Sequence, residues 1–183
     1  MSKVAIVGDP SGTGTFTISA PNGNTDRTLV LPDEAGTVLT SASNVVTNSG
    51  PAFRAYMGGN QTPSVNTWTT IAFNTEEFDT DNCFNTSTYT FTPTVAGYYQ
   101  FNVAWLNAGS VSNYLSVSIA KNGTRIRSAV NPDISGGGSV NRSALVYMNG
   151  TTDSVVAQGY TDAGTFGGGS VYTAFEGVLV RKS

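Results

Sequence analysis

The stretch Tyr89–Gly109, YTFTPTVAGYYQFNVAWLNAG, is the clearest guide to the fold class, because its apolar and polar residues alternate. A period of two places successive side chains on opposite faces of a β-strand. One face of the second half would carry Tyr99, Phe101, Val103 and Trp105, and the other Gln100, Asn102 and Ala104. Pro93 interrupts the pattern and predicts a break between two strands. The stretch holds no residue for acid–base chemistry near neutral pH, so it predicts a structural or binding element.

The same alternation recurs between turn signals along the chain, which indicates an all-β protein. From Pro51 to Lys182 the alternating runs amount to eight or more short strands, as in a β-sandwich or a jelly roll. The final run, residues 171–182, is predicted to be a central strand.

Two Asn-Gly pairs of the main domain mark predicted hairpins, since Asn-Gly is the strongest short signal for a tight β-turn. The first is Asn122-Gly123, between two alternating runs. The second occupies residues 149 and 150 and is predicted to join Leu145–Met148 to Val155–Tyr160.

The composition excludes several classes of function. The chain has no histidine, so it lacks the usual general base and the commonest zinc ligand. A formal net charge of -3 argues against nucleic-acid binding, which needs a basic face. Cys83 is the single cysteine, cannot form an internal disulfide, and is predicted to be a half-buried small residue. No apolar run reaches membrane-spanning length and the start of the chain does not read as a secretory signal, so we expect synthesis in a cytoplasm without membrane contact.

Residues 1–42 differ from the rest because they contain few large apolar side chains. A segment of this size buries too little surface to fold alone, and its short strands would leave open edges. We therefore expect copies from several chains to interlock there, with residues 43–50 as a linker and residues 51–183 as the main domain. The apolar residues expected at this interlocked interface are Phe16, Ile18, Leu29, Leu31, Val38 and Leu39.

Three short motifs of the main domain occur in an order typical of one family. They are Pro51-Ala52-Phe53, then Phe91, Thr92, Ala96, Gly97, Tyr99 and Phe101, and finally Phe175, Gly177 and Leu179. This order resembles the globular heads of complement first-component and tumour-necrosis-factor type proteins, over roughly residues 51–181. The resemblance implies a ten-strand jelly roll assembled as a compact homotrimer whose role is recognition and not catalysis.

The N-terminal segment is similar to a short module of tail-fibre and virion-appendage proteins of bacterial viruses. The shared phrase is Leu29, Leu31, Pro32, Asp33, Gly36, Thr37, Val38, Leu39 and Thr40. The resemblance implies a particle protein assembled inside a bacterium, with the N-terminal region as its anchor.

Aromatic side chains are candidates for the threefold seam of the expected trimer, since closed symmetry prevents runaway association. Tyr56, Tyr98 and Tyr99 are predicted there, with the alternative that Tyr99 fills the core of one chain. Trp68 and Trp105 are predicted to be core residues.

Polar features of the main domain leave several interpretations open. The acidic cluster of Glu76, Glu77, Asp79 and Asp81 could hold calcium, could form a glycosidase pair, or could be a solvated turn, which we favour. Arg125 and Arg127 are two residues apart on a predicted strand and should share a face. Two glycine-rich loops, residues 131–139 and 162–170, are expected to be exposed, either as flexible connections or as partner contacts. The candidate contacts are Asp133, Ile134, Ser135, Thr165 and Phe166.

These observations predict a non-enzymatic homotrimer without cofactors on the virion surface of a tailed bacteriophage. Its partners would be capsid or tail proteins. A capsid decoration protein is the favoured interpretation, and a tail-fibre tip that binds a host-surface glycan is the alternative. A virion-associated polysaccharide hydrolase and a prophage-encoded lectin are the further hypotheses.

Overall fold

The computed structural model describes residues 50–108, 112–134 and 138–183, together with residues 10–15, 17, 22–24, 26 and 28; for residues 112, 113, 133 and 134 it describes only the backbone. The chain forms two units, Met1–Leu39 and Thr40–Ser183. The described part of the second unit contains twelve strands and no helix, so no helix there could cross a membrane. The strands are β1 (Ala52–Tyr56), β2 (Thr69–Thr70), β3 (Thr75–Asp79), β4 (Phe84–Asn85), β5 (Thr90–Phe91), β6 (Gly97–Ala108), β7 (Ser112–Lys121), β8 (Thr124–Ile134), β9 (Ser139–Met148), β10 (Val155–Thr161), β11 (Thr165–Gly167) and β12 (Ala174–Lys182).

The strands form two antiparallel sheets, which pack face to face as a jelly-roll sandwich. Sheet A has the order β9, β6, β12, β1, β3, and β11 pairs with the end of β6 beyond β12. Sheet B has the order β4, β5, β10, β7, β8, and β2 also pairs with β10. The all-β jelly roll expected from the alternating pattern is confirmed.

The core lies between the inner faces of the two sheets. On β6 buried and more exposed residues alternate along the whole strand, and the buried face is the one that carries Tyr99, Phe101, Val103 and Trp105. Phe53 of β1 stacks on Phe84 and Phe91 of sheet B, with ring centroids 4.8 Å and 4.6 Å away. Phe101 and Phe175 complete this cluster within sheet A, with centroids 5.9 Å apart. Aromatic packing across the sandwich therefore fixes the sheets against each other.

The closing strand β12 is central, as predicted, since it lies between β6 and β1. Gly177 is at its middle, opposite both Phe53 and Phe101. A Cβ at this position would lie 2.7 Å from a ring carbon of each, so only glycine fits without displacement. The glycine of the closing motif thus makes room for the aromatic core.

The two Asn-Gly pairs behave differently. Asn122 and Gly123 both have positive φ, 50° and 78°, and connect β7 to β8 in a tight hairpin as predicted. The hairpin predicted at the second pair is wrong, because β9 belongs to sheet A and β10 to sheet B. There only Gly150 has positive φ, 73°, and the loop crosses from one sheet to the other.

Candidate functional site

The outer face of sheet A is apolar and aromatic where β6, β9 and β12 meet. Tyr98 lies opposite Tyr147, and their ring centroids are 5.4 Å apart. Gln100, the next residue on that face of β6, lies between Leu145 and Val178. Large apolar side chains remain exposed here, with 60% for Leu145, 46% for Val178, 44% for Tyr98 and 43% for Tyr147. Exposed apolar side chains grouped in this way are typical of interaction surfaces. We call these four residues the sheet A patch.

Charged and polar groups border the sheet A patch on the same face. Arg54 of β1 forms ion pairs with Glu77 of β3 and with Glu176 of β12. Asn102 of β6 donates a hydrogen bond to Glu176 at 3.2 Å and accepts one from Ser143 of β9 at 2.6 Å. An apolar centre beside a satisfied polar network is the usual anatomy of an interface.

The prediction that Tyr99 lies at the threefold seam of the trimer is wrong. This residue is fully buried in the core, and its hydroxyl donates a hydrogen bond to the Val95 carbonyl at 2.8 Å. Burial, with smaller contributions from Cys83 and Asp81, raises the pKa of its hydroxyl. Because adjacent residues of a strand point to opposite faces, Tyr98 and Tyr99 cannot belong to one seam.

The other predicted seam residues divide into two groups. Tyr56 is half-buried and lies opposite Ala174, on the outer face of sheet A. Predicted contacts in the N-terminal unit lie outside the described residues: Phe16, Ile18, Leu29, Leu31, Val38 and Leu39. Leu145 and Tyr147 were not predicted as surface residues of this face, although their alternation with Val146 and Met148 places them opposite the buried side of β9.

The exposed-loop prediction is wrong for residues 165 and 166. Both belong to β11, which pairs with β6, and Phe166 is fully buried against Trp105 with ring centroids 4.5 Å apart. Thr165 is half-buried, and its backbone N–H donates to the Asn107 side chain at 3.2 Å. Asp133 and Ile134 end β8, where only their backbone is described, and Ser135 lies outside the described residues.

The acidic cluster is divided between β3 and the residues that follow it. Glu76, Glu77 and Asp79 belong to β3 and not to a turn. Asp79 accepts hydrogen bonds from the backbone N–H groups of Phe84 at 2.6 Å and of Asp81 at 3.3 Å, while Glu77 pairs with Arg54. No group of three His, Cys, Asp or Glu side chains among the described residues is placed to share a cation. The carboxylates of Asp79 and Glu77 therefore stabilise the neighbouring backbone and strand β1.

Cys83 follows this cluster and is buried, not half-buried as predicted. Burial is the main cause that raises the pKa of its thiol, and the nearby carboxylates of Asp79 and Asp81 act in the same direction. A buried, protonated thiol is a poor nucleophile, so Cys83 is a packing residue.

The outer face of sheet B carries a continuous row of aromatic rings. Tyr114 of β7 contacts Tyr160 of β10 edge to face at 5.4 Å, and Tyr160 contacts Trp68 at 5.5 Å. The guanidinium of Arg125 lies over the Trp68 ring, 4.7 Å from its centroid. We call these four residues the sheet B row. Its polar border includes the Asn66 side chain, which accepts a hydrogen bond from the Tyr160 hydroxyl at 3.3 Å.

The prediction that Trp68 is a core residue is wrong, whereas Trp105 is in the core as predicted. Trp68 is half-buried and reaches across sheet B from Tyr160 on β10 to Arg125 on β8. Beneath the row, Ser116 and Ser118 of the outer face are buried and donate to carbonyls of β8, at 2.7 Å and 3.0 Å. The row therefore covers the two serines, while its own outer side remains accessible to solvent.

A β-bulge separates the two arginines that were predicted to share a face. Arg127 lies opposite Ile119, whereas Arg125 lies opposite Ala120, so Ile126 is the extra residue. Ile119 faces the core, which places Arg127 on the inner side at the edge of the sandwich, while Arg125 joins the sheet B row. The inserted residue thus places Arg125 on the outer face of sheet B, where its guanidinium contacts Trp68.

An ion-pair network links the two Asn-Gly loops. The carboxylate of Asp153 accepts hydrogen bonds from the Lys121 ammonium at 2.8 Å, the Asn122 amide at 2.7 Å and the Asn149 backbone N–H at 2.9 Å. The Lys121 and Asn122 hydrogen bonds are the main causes that lower the pKa of Asp153. The network fixes the β7–β8 hairpin to the crossover loop.

Comparison with known proteins agrees with this geometry. A family model described as the C1q domain matches residues 52–180. The chain belongs to the C1q-domain family. No match was found among curated proteins.

Solved structures similar to this C1q domain share its fold at low sequence identity. The globular domain of zebrafish complement 1qA protein has a TM-score of 0.57 and 20% identity, covering 74% of this chain and 100% of that one. Murine APRIL at pH 8.0 has a TM-score of 0.59 and 8% identity, covering 72% and 100%. Eiger TNF from S. frugiperda has a TM-score of 0.54 and 10% identity, covering 74% and 96%. Such identities establish the fold alone. C1q/TNF-like domains are generally non-enzymatic binding or structural domains.

Proposed function

We propose that this C1q domain is the knob of a non-enzymatic homotrimer that decorates the capsid of a tailed bacteriophage. The sheet A patch is the observation that carries the assembly. Its four apolar side chains are from 43% to 60% exposed in the single chain, and burying them in a symmetric assembly removes this surface from water. In the trimer that the family resemblance implies, the sheet A patch would be covered by neighbouring copies of this chain.

A second feature supports association at the edge of the sandwich. Arg142 of β9 lies on the inner side of its strand, and its Nε is buried without an acceptor among the described residues. A buried donor that lacks an acceptor is costly. An acceptor from a neighbouring subunit would remove that cost.

The virion assignment rests on the N-terminal phrase, residues 29–40, which is similar to modules of phage virion appendages. A small decoration protein needs an anchor and a knob, and the two-unit division after Leu39 agrees with that plan. The anchor would dock on coat subunits and the knob would face the medium.

Two measurements test the proposal. Analytical ultracentrifugation at micromolar concentration should give three times the monomer mass, and a monomer with intact sheet structure would contradict the assembly. The purified protein should also be retained on emptied heads of the cognate phage and not on purified tails. Retention on tails alone would contradict decoration.

The second candidate is a fibre tip that binds a host-surface glycan. The sheet B row favours it, because aromatic rings beside hydrogen-bonding groups are common at ligand sites. Retention of the protein on host cells, in the same assay, would support this candidate.

A further inference from the structure

We infer that the sheet B row is a binding site for a glycan that contains an acidic sugar, with the anionic group of that sugar held at Arg125. The inference deepens the second candidate function by assigning it a surface, a chemical class and an orientation. It is compatible with a decoration protein whose knob faces the medium.

The rings of the row suit a pyranose. The C–H groups on one side of a sugar ring are weakly positive, and aromatic faces carry the complementary negative charge. Tyr114 is 39% exposed, and Val130, which lies on the outer face beside Ser116, is 48% exposed. Apolar surface therefore extends beside the tyrosines, with the Asn66 amide and tyrosine hydroxyls as hydrogen-bonding groups at its border.

The charges at the two ends of the row differ. Arg125 is exposed at the Trp68 end, and no carboxylate of the described residues lies within salt-bridge distance of it. By contrast, the described Arg54 and Lys121 are each paired with carboxylates. A guanidinium fixed over an aromatic ring can form two parallel hydrogen bonds to a sugar carboxylate.

At the Tyr114 end lies a carboxylate. Asp162 accepts a hydrogen bond from the Tyr114 backbone N–H at 3.3 Å. The row thus fits a polysaccharide whose acidic unit lies at Arg125. A nucleic acid, which carries a phosphate on every residue, fits it poorly, in keeping with the net charge of -3.

The row remains accessible in the proposed trimer. Tyr114 and Tyr160 lie on the outer face of sheet B, whereas the sheet A patch lies on the opposite surface of the sandwich. Trimer formation through sheet A therefore leaves the row uncovered, and a threefold assembly would present three copies. Multivalent presentation makes even a weak site effective on a polymer.

Binding of the whole protein to a polysaccharide panel tests the inference. The acidic members are hyaluronan, polygalacturonate and chondroitin sulfate, and the neutral members are chitohexaose, dextran and mannan. We expect binding to at least one acidic member, weakened by added salt. Binding to neutral members alone, or to no member, would overturn the inference.

Variants then assign the site by calorimetric titration with the best acidic member. We expect Tyr114→Ala and Arg125→Gln each to raise the dissociation constant about tenfold or more. Arg125→Gln should also reduce the salt dependence. Tyr172→Ala is the matched control, because Tyr172 is an exposed tyrosine outside the row. Unchanged affinity of Tyr114→Ala and Arg125→Gln would overturn the inference.

The failure of this inference differs from a failure of the proposed decoration role. Trimer mass and retention on emptied heads are measured for every variant. Loss of glycan binding with both preserved supports the site. Head retention without any glycan binding leaves decoration intact and rejects the site.

Discussion

The two outer faces of the sandwich both carry aromatic side chains, yet they differ in how these residues are arranged. On sheet A, Tyr98 and Tyr147 are flanked by aliphatic side chains, and the nearby cations Arg54 and Lys121 are each paired with carboxylates. On sheet B, the rings form a row that ends in an arginine and shields buried serines. The first arrangement suits a second copy of a similar surface, and the second suits a polar ligand with ring faces. The composition of a face is therefore less informative than the placement of its charges.

The largest expected effect is on trimer formation, when a single carboxylate is introduced on sheet A and compared with one on sheet B. Leu145→Glu places a carboxylate in the sheet A patch, where the trimer would desolvate it. We expect the trimer dissociation constant to rise at least about 100-fold, measured by sedimentation velocity over a range of concentrations. Val130→Glu is the matched control, because Val130 is similarly exposed but lies on sheet B. Equal association of the two variants would contradict the assignment of the faces.

A smaller effect is expected from removing the centre of the sheet B row. Trp68→Ala deletes the contacts to Tyr160 and Arg125 and uncovers Ser116 and Ser118. The free energy of unfolding should fall by about 1–3 kcal/mol, measured by urea denaturation, with trimer mass preserved below the transition. Loss of the trimer at unchanged stability would mean that Trp68, and not the sheet A patch, serves the assembly.

The Asp153 network gives a comparable but pH-dependent effect. Its pKa is lowered in the folded state, so the stabilisation is full above the unfolded value of about 4 and is lost as pH falls through the folded value. Asp153→Asn should lower the free energy of unfolding by about 1–2 kcal/mol at pH 7, and the difference from the unsubstituted protein should shrink as pH falls through the lowered pKa of the folded state. Thermal denaturation at a series of pH values measures this. A constant difference across pH would show that charge is not involved.

The smallest effect distinguishes the adjacent tyrosines of β6. Burial raises the pKa of Tyr99, so its hydroxyl should stay protonated under alkaline conditions until the chain unfolds. Its contribution to stability is complete below the unfolded pKa of about 10 and is lost as pH rises through the higher folded value. Spectrophotometric titration of Tyr99→Phe against the unsubstituted protein isolates this signal. A normal alkaline transition that disappears in Tyr99→Phe would contradict the buried hydrogen bond.

Much of the fold could be predicted from the sequence because alternation reports which residues share a face. The two alternating faces of β6, the central position of β12 and the hairpin at Asn122 all followed from local rules. The crossover at Gly150 did not, since an Asn-Gly pair specifies a turn and not the sheet that the next strand joins.

Less of the candidate site could be predicted, for three physical reasons. Alternation separates Tyr98 from Tyr99 but does not say which of two aromatic faces is the core. A bulge shifts Arg125 relative to Arg127 and depends on the partner strand, which the local pattern does not contain. The burial of Phe166 depends on Trp105, a residue distant in the sequence. Long-range pairing decided each of these positions.

The central position of β12 also determines the order in which the strands of sheet A can pair during synthesis. This strand alone joins the β6–β9 part of sheet A to the β1–β3 part, although it is the last of the twelve described strands in chain order. A growing polypeptide can therefore pair β6 with β9 early, but it must keep the two parts of the sheet separate until Ala174–Lys182 has emerged from the ribosome. The sheet A patch includes Val178, so subunit association would have to wait for the same event.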